Sequence, residues 1–161
     1  LAACDIATLT LDIEAKAQML GERRWQLMEV AEGVVSLDPQ RVTQAVLQLA
    51  ANAVQVTADG DTIRIGSRFE GDGPERRLRL WVQDTGPGVA PADAERIFDR
   101  FTRGDSAGAR RGSGLGLAIV RAITDGHGGS AWVDSVLGEG ATFGIDVPAP
   151  VLDTGEIEGK S

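Results

Sequence analysis

The stretch Arg77–Val89 has the sequence RLRLWVQDTGPGV and joins a strand pattern to a glycine-rich turn. Leu78, Leu80 and Val82 alternate with polar or larger side chains, which is typical of a strand with one buried face. The next position on that face is Asp84, a carboxylate where the period of two predicts a core residue. Burying a carboxylate is costly unless it is paired, and the amino group of a ligand would pair it. The alternative is that Asp-Thr-Gly-Pro-Gly is only a turn.

Strands and helices alternate irregularly on both sides of this stretch. Period-two patterns predict strands over Arg24–Val30, Thr62–Phe69, Arg77–Asp84, Ser130–Val136 and Ala141–Val147. Helical periodicity predicts helices over Asp5–Leu20, Asp38–Thr57 and Leu115–Asp125, with a short helix near Pro91–Phe98. We therefore predict an α+β fold, a two-layer α/β sandwich in which a mixed, mostly antiparallel sheet carries about three helices on one face.

Composition favours one soluble domain. The 161 residues, 42% of them apolar, are enough for a single core. No apolar run approaches the ~20 residues of a membrane span, and no secretory signal is visible, so we expect no direct membrane contact in this segment. The single cysteine excludes an internal disulfide and fits a reducing, cytoplasmic compartment. The net charge of −8 argues against nucleic acid as a partner.

A second glycine-rich stretch, GSGLGLAIV, covers Gly112–Val120 and opens a predicted helix. Its glycines would let backbone amides approach an anion closely, and the helix presents its positive N-terminus to phosphate. The spacing is neither a dinucleotide fingerprint, because Leu117 stands where a third glycine is needed, nor a P-loop, because no Gly-Lys-Ser/Thr follows. The alternative is a purely structural turn before a helix.

The helix predicted over Asp38–Thr57 carries a polar line opposite its apolar stripe, formed by Gln44, Gln48, Asn52 and Gln55. Such a line is usually the solvated face of a surface helix. Asn52, however, lies in a small and apolar run. Its amide oxygen there would be a suitable ligand for Mg²⁺ together with the phosphates of a substrate.

Five segments in this order resemble the motifs of the catalytic domains of sensor histidine kinases. The asparagine, first glycine, phenylalanine, second glycine and terminal glycine motifs correspond to QLAANAVQVT, DTGPGV, ERIFDRFTRG, GSGLGLAIV and GEGATF. This family belongs to the GHKL superfamily, with DNA gyrase, MutL and the heat-shock chaperone ATPases, and the resemblance implies a Bergerat-type ATP-binding fold. We expect the catalytic domain to cover residues 1–148, with residues 1–4 ending a preceding dimerisation helix and 149–161 forming a disordered acidic tail.

The resemblance also implies roles for individual residues. Asn52 would hold Mg²⁺ on the triphosphate of ATP, and Asp84 would accept the adenine amino group. Gly86 and Gly88 would let the base and sugar lie close. Phe98 and Phe101 would anchor a lid over residues 102–113. The other implied nucleotide-binding residues are Gln55, Arg103, Gly112, Ser113, Gly114, Leu115, Gly116, Leu117 and Thr142.

The charge of Arg103, Arg110 and Arg111 in this lid suits a triphosphate. For Arg110 and Arg111, ordinary solubility of a loop is the alternative.

Two positions depart from the family pattern. The family commonly has a basic residue at position 55 and an asparagine at 48, and both are glutamine here. Gln55 lacks the charge, so we expect weaker ATP binding. In the hydrolysing relatives a glutamate at position 48 activates water, and glutamine cannot accept that proton. This favours transfer of the γ-phosphate to another nucleophile, a reaction that depends mainly on positioning and charge stabilisation.

The resemblance implies that this nucleophile is a histidine on a separate dimerisation domain, and that the phosphate then passes to the receiver domain of a response regulator. His127, the one histidine of the chain, lies in a turn that is structural in the family. Because the chain starts at Leu1 rather than methionine, we expect functional segments outside it, and a cytoplasmic location includes the cytoplasmic part of a membrane-anchored kinase. The alternatives are a pseudokinase or regulatory binding module with the same fold, and an anti-sigma-factor serine kinase.

Overall fold

A computed structural model describes residues 1–89 and 114–151. The helices in these ranges are α1 (Ile6–Ala17), α2 (Pro39–Gln55) and α3 (Gly114–Gly126). The strands are β1 (Ala2–Asp5), β2 (Arg24–Leu27), β3 (Val34–Leu37), β4 (Thr62–Glu70), β5 (Arg77–Asp84), β6 (Ser130–Val136) and β7 (Gly140–Pro148).

The main sheet has five strands in the order β2-β4-β5-β7-β6. Strand β2 is parallel to β4, and the other neighbours are antiparallel. The three helices pack on one face of this sheet, where Leu78, Leu80 and Val82 of β5 are buried. The predicted α+β sandwich with a mixed, mostly antiparallel sheet is therefore confirmed.

Helix α2 begins and ends where its sequence provides partners for its free backbone groups. At its start the Asp38 side chain accepts a hydrogen bond from the backbone N–H of Arg41 at 3.1 Å, and Pro39 occupies the first turn. At its end the guanidinium of Arg23 donates to the carbonyls of Val54 and Thr57 at 2.9 and 3.1 Å. Because a cation at a helix C-terminus complements the helix dipole, Arg23 stabilises the last turn of α2.

The outer face of the sheet, which carries no helix of the described part, has a row of alternating glycine and tryptophan. Gly66, Trp81, Gly144 and Trp132 lie opposite one another on β4, β5, β7 and β6. A β-carbon on Gly66 would overlap the ring of Trp81, and one on Gly144 would overlap the ring of Trp132. Each ring therefore lies over the glycine of the neighbouring strand, and Trp81 is only 7% exposed.

Two expectations about the ends of the domain differ from the structure. Residues Ala2–Asp5 form strand β1, which pairs antiparallel with Val34–Leu37, so residues 1–4 do not end a preceding helix. The first three residues of the predicted acidic tail are also held in place. Ala149 is buried, and the backbone N–H groups of Ala149 and Val151 donate to the carbonyls of Arg76 and Gly73. The rest of the tail and the helix predicted near Pro91–Phe98 lie outside the described residues.

Among residues 1–89 and 114–151, no helix combines the length and apolar character that crossing a membrane requires.

Candidate functional site

One face of α2 contacts both glycine-rich stretches. Gln48, Asn52 and Val56 are spaced by four residues and therefore lie on the same side of the helix. A β-carbon on Gly116 of α3 would lie 2.8 Å from Oε1 of Gln48. A β-carbon on Gly86 would lie 2.8 Å from both Cγ2 and the carbonyl oxygen of Val56. The two stretches thus approach α2 one turn to either side of Asn52. At Gly86 the close neighbour is backbone, so the approach requires glycine, whereas at Gly116 it is the end of the flexible Gln48 side chain.

Asn52 is the polar residue between these two contacts. It is 8% exposed, and its Nδ2 has no hydrogen-bond partner among the described residues. Leaving a buried amide donor unpaired costs about 1–3 kcal/mol, so a group outside the described residues is needed to satisfy it. A phosphate oxygen would accept from Nδ2, and with the amide turned by 180° its oxygen would face the same space and ligate a hard cation.

Asp84 ends β5 on the face that packs against the helices. It is 3% exposed, and its Oδ1 accepts a hydrogen bond from the backbone N–H of Gly86 at 2.9 Å. This bond bends the chain directly after the strand. It therefore brings Gly86 against Val56 with the carboxylate close by, since a β-carbon on Gly86 would lie 3.2 Å from Oδ1.

The loop after Asp84 packs against the turn between β6 and β7. Gly88 has a φ of 79°, a conformation that L side chains rarely adopt, and a β-carbon there would lie 2.7 Å from the carbonyl oxygen of Val136. The backbone N–H of Gly138 donates to the carbonyl of Pro87 at 2.6 Å. Gly88 is thus required both by its backbone conformation and by this close approach.

Thr142 is not brought to the Asp84 side of the sheet. It pairs with Gln83, whereas Asp84 pairs with Ala141. Because directly opposite residues of antiparallel strands share a face, the β7 residue beside Asp84 is Ala141. Thr142 lies on the outer face. It lines a polar cavity at this end of the strands together with residues of both faces, among them Gln83, Asp134 and Asp84.

Of the remaining predicted residues, some lie in the described helices and the others lie outside the described ranges. Gln55 is the last residue of α2 and is exposed, while Leu117 is buried in the core, so only its backbone is available to a ligand. Gly114 begins α3 and is followed by Leu115. The predicted residues outside the described ranges are Phe98, Phe101, Arg103, Arg110, Arg111, Gly112 and Ser113.

Two residues that contact the candidate site were not singled out from the sequence. Val56 is an apolar residue at the end of a helix, and nothing in the pattern distinguishes it. Ser135, whose Oγ accepts from the backbone N–H of Val89 at 2.7 Å, lies opposite Ala141 on the inner face of β6. A polar side chain at a position expected to face the core is the same signal that singled out Asp84, and it would have found Ser135 as well.

His127 joins the end of α3 to the start of α2. Its Nδ1 lies 2.9 Å from the carbonyl of Ile123, and the backbone N–H of Asp38 donates to its Nε2 at 3.1 Å. These partners fix the tautomer, because a ring that accepts at Nε2 must carry its proton on Nδ1. Both ring nitrogens are therefore used within the fold.

In the described part of the chain, no three side chains of His, Cys, Asp or Glu lie together in a way that could hold a metal ion. With the described residues alone, a cation beside Asn52 would depend on oxygens of a bound ligand as well as on the protein. This suits Mg²⁺, which is commonly held by one or two protein oxygens together with substrate phosphates.

Comparison with known families is consistent with this geometry. Residues 37–151 match the family described as histidine kinase-, DNA gyrase B- and HSP90-like ATPase. The chain belongs to this ATPase family. The family implies ATP as the ligand of the domain, and the matched residues include every described part of the candidate site.

Relatives of this ATPase domain include bacterial sensor proteins. The chain is 42% identical over 119 residues to the sensor protein SrrB of Staphylococcus aureus, covering 73% of the chain and 20% of that protein. The chain thus spans about a fifth of the length of the curated relatives it matches.

Solved structures share the fold of the ATPase domain. The mycobacterial sensor histidine kinase MprB matches with a TM-score of 0.77 and 24% identity, over 94% of this chain and 99% of that one. Full-length ShkA in complex with AMPPNP matches with a TM-score of 0.69 and 33% identity, over 94% of this chain and 32% of that one.

Proposed function

We propose that this ATPase-family domain binds Mg·ATP and transfers the γ-phosphate to a histidine on a separate dimerisation and phosphoacceptor domain, as in two-component signalling. The observation that carries the proposal is the arrangement on α2. Gln48 contacts Gly116, Val56 contacts Gly86, and the unpaired amide of Asn52 lies between them. A nucleotide that spans the two glycine stretches would pass directly over Asn52.

Each side chain has a role in holding the nucleotide. Asp84 accepts the adenine amino group, and Gly86 and Gly88 leave room for the base and sugar. Ala141, rather than Thr142, is the β7 residue on the adenine side. The start of α3 around Gly114 and Gly116 offers backbone N–H groups to the phosphates.

The charge of the triphosphate is met at α2. Asn52 is the residue that would hold Mg²⁺, which when bound neutralises the charge that develops on the transferred phosphoryl group. Gln55, exposed at the end of the helix, donates a neutral hydrogen bond to phosphate. The arginines predicted in the lid would add positive charge.

Transfer to a histidine, rather than to water, is supported by Gln48. Its amide cannot take a proton from water, and its contact with Gly116 lies at the phosphate end of the proposed site. The histidine ring of a partner domain brings its own nucleophilic nitrogen, so this reaction needs no base at position 48. The phosphate would then pass to a response regulator. We place the reaction in the cytoplasm, where ATP is available.

Two measurements test the proposal. Calorimetry should detect binding of Mg·ATP to the domain, and Asp84→Asn should abolish it, because an amide oxygen is a weaker acceptor than a carboxylate. ATP together with a helical phosphoacceptor domain should yield an acid-labile phosphoprotein. Normal labelling by Asp84→Asn would show that the adenine contact is assigned to the wrong residue.

The observation behind the alternative, a regulatory module without phosphotransfer, is the neutral Gln55 where the family commonly has a basic residue. This alternative predicts that Mg·ATP binds weakly or not at all, and that no labelling occurs with any phosphoacceptor domain.

A further inference from the structure

The hydroxyl of Ser135 connects the two segments that form the base end of the proposed site. Its Oγ accepts a hydrogen bond from the backbone N–H of Val89 at 2.7 Å. The same oxygen lies 3.3 Å from the carbonyl of Val89 and 3.3 Å from the carbonyl of Gly140. One side chain of β6 thus reaches the end of the Asp84 loop and the first residue of β7.

A single hydroxyl has one proton to donate and can accept as well. The N–H of Val89 occupies the acceptor side of Ser135, so the proton of Ser135 is donated to one of the two carbonyls. Val89 is buried, with 3% of its surface exposed, and without this oxygen its N–H would have no partner among the described residues. An unpaired buried amide is costly, which makes the Ser135 hydroxyl a requirement for this position of the loop.

The loop that follows Asp84 is closely packed against Ser135 and the start of β7. A β-carbon on Gly88 would lie 2.9 Å from the Ser135 oxygen, so the loop already lies directly against this side chain. Gly140, the other partner, precedes Ala141, which pairs with Asp84. The hydroxyl therefore sets the distance between the turn of Gly88 and the strand position beside the Asp84 carboxylate.

We propose that Ser135 is a positioning residue for adenine recognition, acting through Val89 and Gly140 on the loop that carries Asp84. This inference rests on the proposed function, because it assumes that adenine binds against this loop. It assigns Ser135 to the base end of the nucleotide and not to the phosphate end, since its partners lie beside Asp84 and not beside Gly116. Losing the hydroxyl should therefore weaken recognition of the base specifically.

The test compares the affinities of ATP, ADP and GTP, measured by calorimetry with Mg²⁺, for the unchanged chain, Ser135→Ala and Ser130→Ala. Ser130 is exposed at the other end of the same strand and serves as the matched control. We expect Ser135→Ala to lose about tenfold in affinity for both ATP and ADP, to change little for GTP, and so to lose most of its preference for adenine. Ser130→Ala should keep all three affinities.

An unchanged ratio of ATP to GTP affinity in Ser135→Ala, including an equal loss of both, would overturn the positioning role. Failure of the unchanged chain to bind ATP would overturn the proposed function and this inference together. Should Ser135→Ala not fold, Ser135→Cys is to be measured, since a thiol of similar size is a weak acceptor. It should show the same loss of adenine preference, and an unchanged ratio would overturn the proposal.

Discussion

Gly86 lies against Val56, the residue that caps the C-terminus of α2, so closely that a β-carbon on it would meet both the side chain and the carbonyl oxygen of Val56 at 2.8 Å. The carbonyl belongs to the backbone and cannot move aside as a flexible side chain would. The position of the Asp84 loop and that of the end of α2 are therefore coupled through this contact.

We expect Gly86→Ala to push the loop away from α2 and to weaken ATP binding at least about tenfold, with a loss of stability of about 1–3 kcal/mol. Gly126→Ala is the control, because no described residue beyond its own turn of helix lies within 4 Å of a β-carbon there and alanine favours the helix. ATP titrations and thermal unfolding of both variants check this. Normal ATP affinity in Gly86→Ala would contradict the coupling.

Replacing Asn52 with alanine should weaken the binding of Mg·ATP without lowering the stability of the domain. Removing its amide in Asn52→Ala also removes a buried donor that has no partner among the described residues, and alanine is a better helix former. The melting temperature without nucleotide should therefore stay the same or rise, while the increase caused by Mg·ATP should disappear. A variant that melts lower and still responds to Mg·ATP would show that Asn52 serves the fold.

A positive charge at the end of α2 should strengthen ATP binding. Gln55→Lys replaces a neutral hydrogen bond with a charge-assisted one, so we expect about a fivefold gain in affinity, corresponding to about 1 kcal/mol. Gln44→Lys adds the same charge to an exposed position near the start of the helix and should have little effect. Equal gains in ATP affinity in both variants would mean that the net charge of the domain, and not the position of the lysine, determines the affinity.

Arg23 should be important for stability, although it is one arginine among many. All five of its N–H donors are used, by Thr57 Oγ1, by the carbonyls of Glu22, Val54 and Thr57, and by Asp59. Its side chain is 6% exposed. We expect Arg23→Met to reduce the free energy of unfolding by about 3 kcal/mol or more, because the carbonyls at the end of α2 lose their partner.

Two variants serve as controls for Arg23→Met in denaturant unfolding. Arg24→Met changes the neighbouring, exposed arginine and should be nearly neutral. Asp59→Asn removes the ion pair but not the carbonyl contacts, and because Asp59 is 83% exposed it should cost less than about 1 kcal/mol. A similar loss in Asp59→Asn would assign the stability to the ion pair.

The elements with strong local signals were predictable from the sequence. Asp38-Pro39 marked the start of α2 because the cap and the proline act within one turn, and alternation marked β5 because one face of the strand is buried. Strands β1 and β3 were missed because neither lies in a longer alternating run of the kind that predicted β2, although all three strands have four residues. Their pairing depends on a contact between distant parts of the chain.

The candidate site was predictable where a residue contradicted its local pattern. Asp84 and Asn52 stood out as polar residues at buried positions. Thr142 was predicted from its place in a motif, and the register of β5 and β7 put Ala141 on the inner face instead. The contacts of Gly86 with Val56 and of Gly116 with Gln48 follow from the packing of α2 between two distant segments, which no local pattern contains.

The row of glycines and tryptophans on the outer face also restricts how the strands can align. Sliding a strand by one residue would turn its core side chains outward, but a slip of two residues preserves that alternation. With a two-residue slip, the ring of Trp81 would meet the side chain of Arg64 or Arg68 in place of Gly66, and Trp132 would lose Gly144 in the same way. The outer face thus disfavours the two-residue slip that the alternation of core side chains would tolerate. It thereby keeps Ser135 and Ala141 in register with Asp84 on the inner face of the sheet.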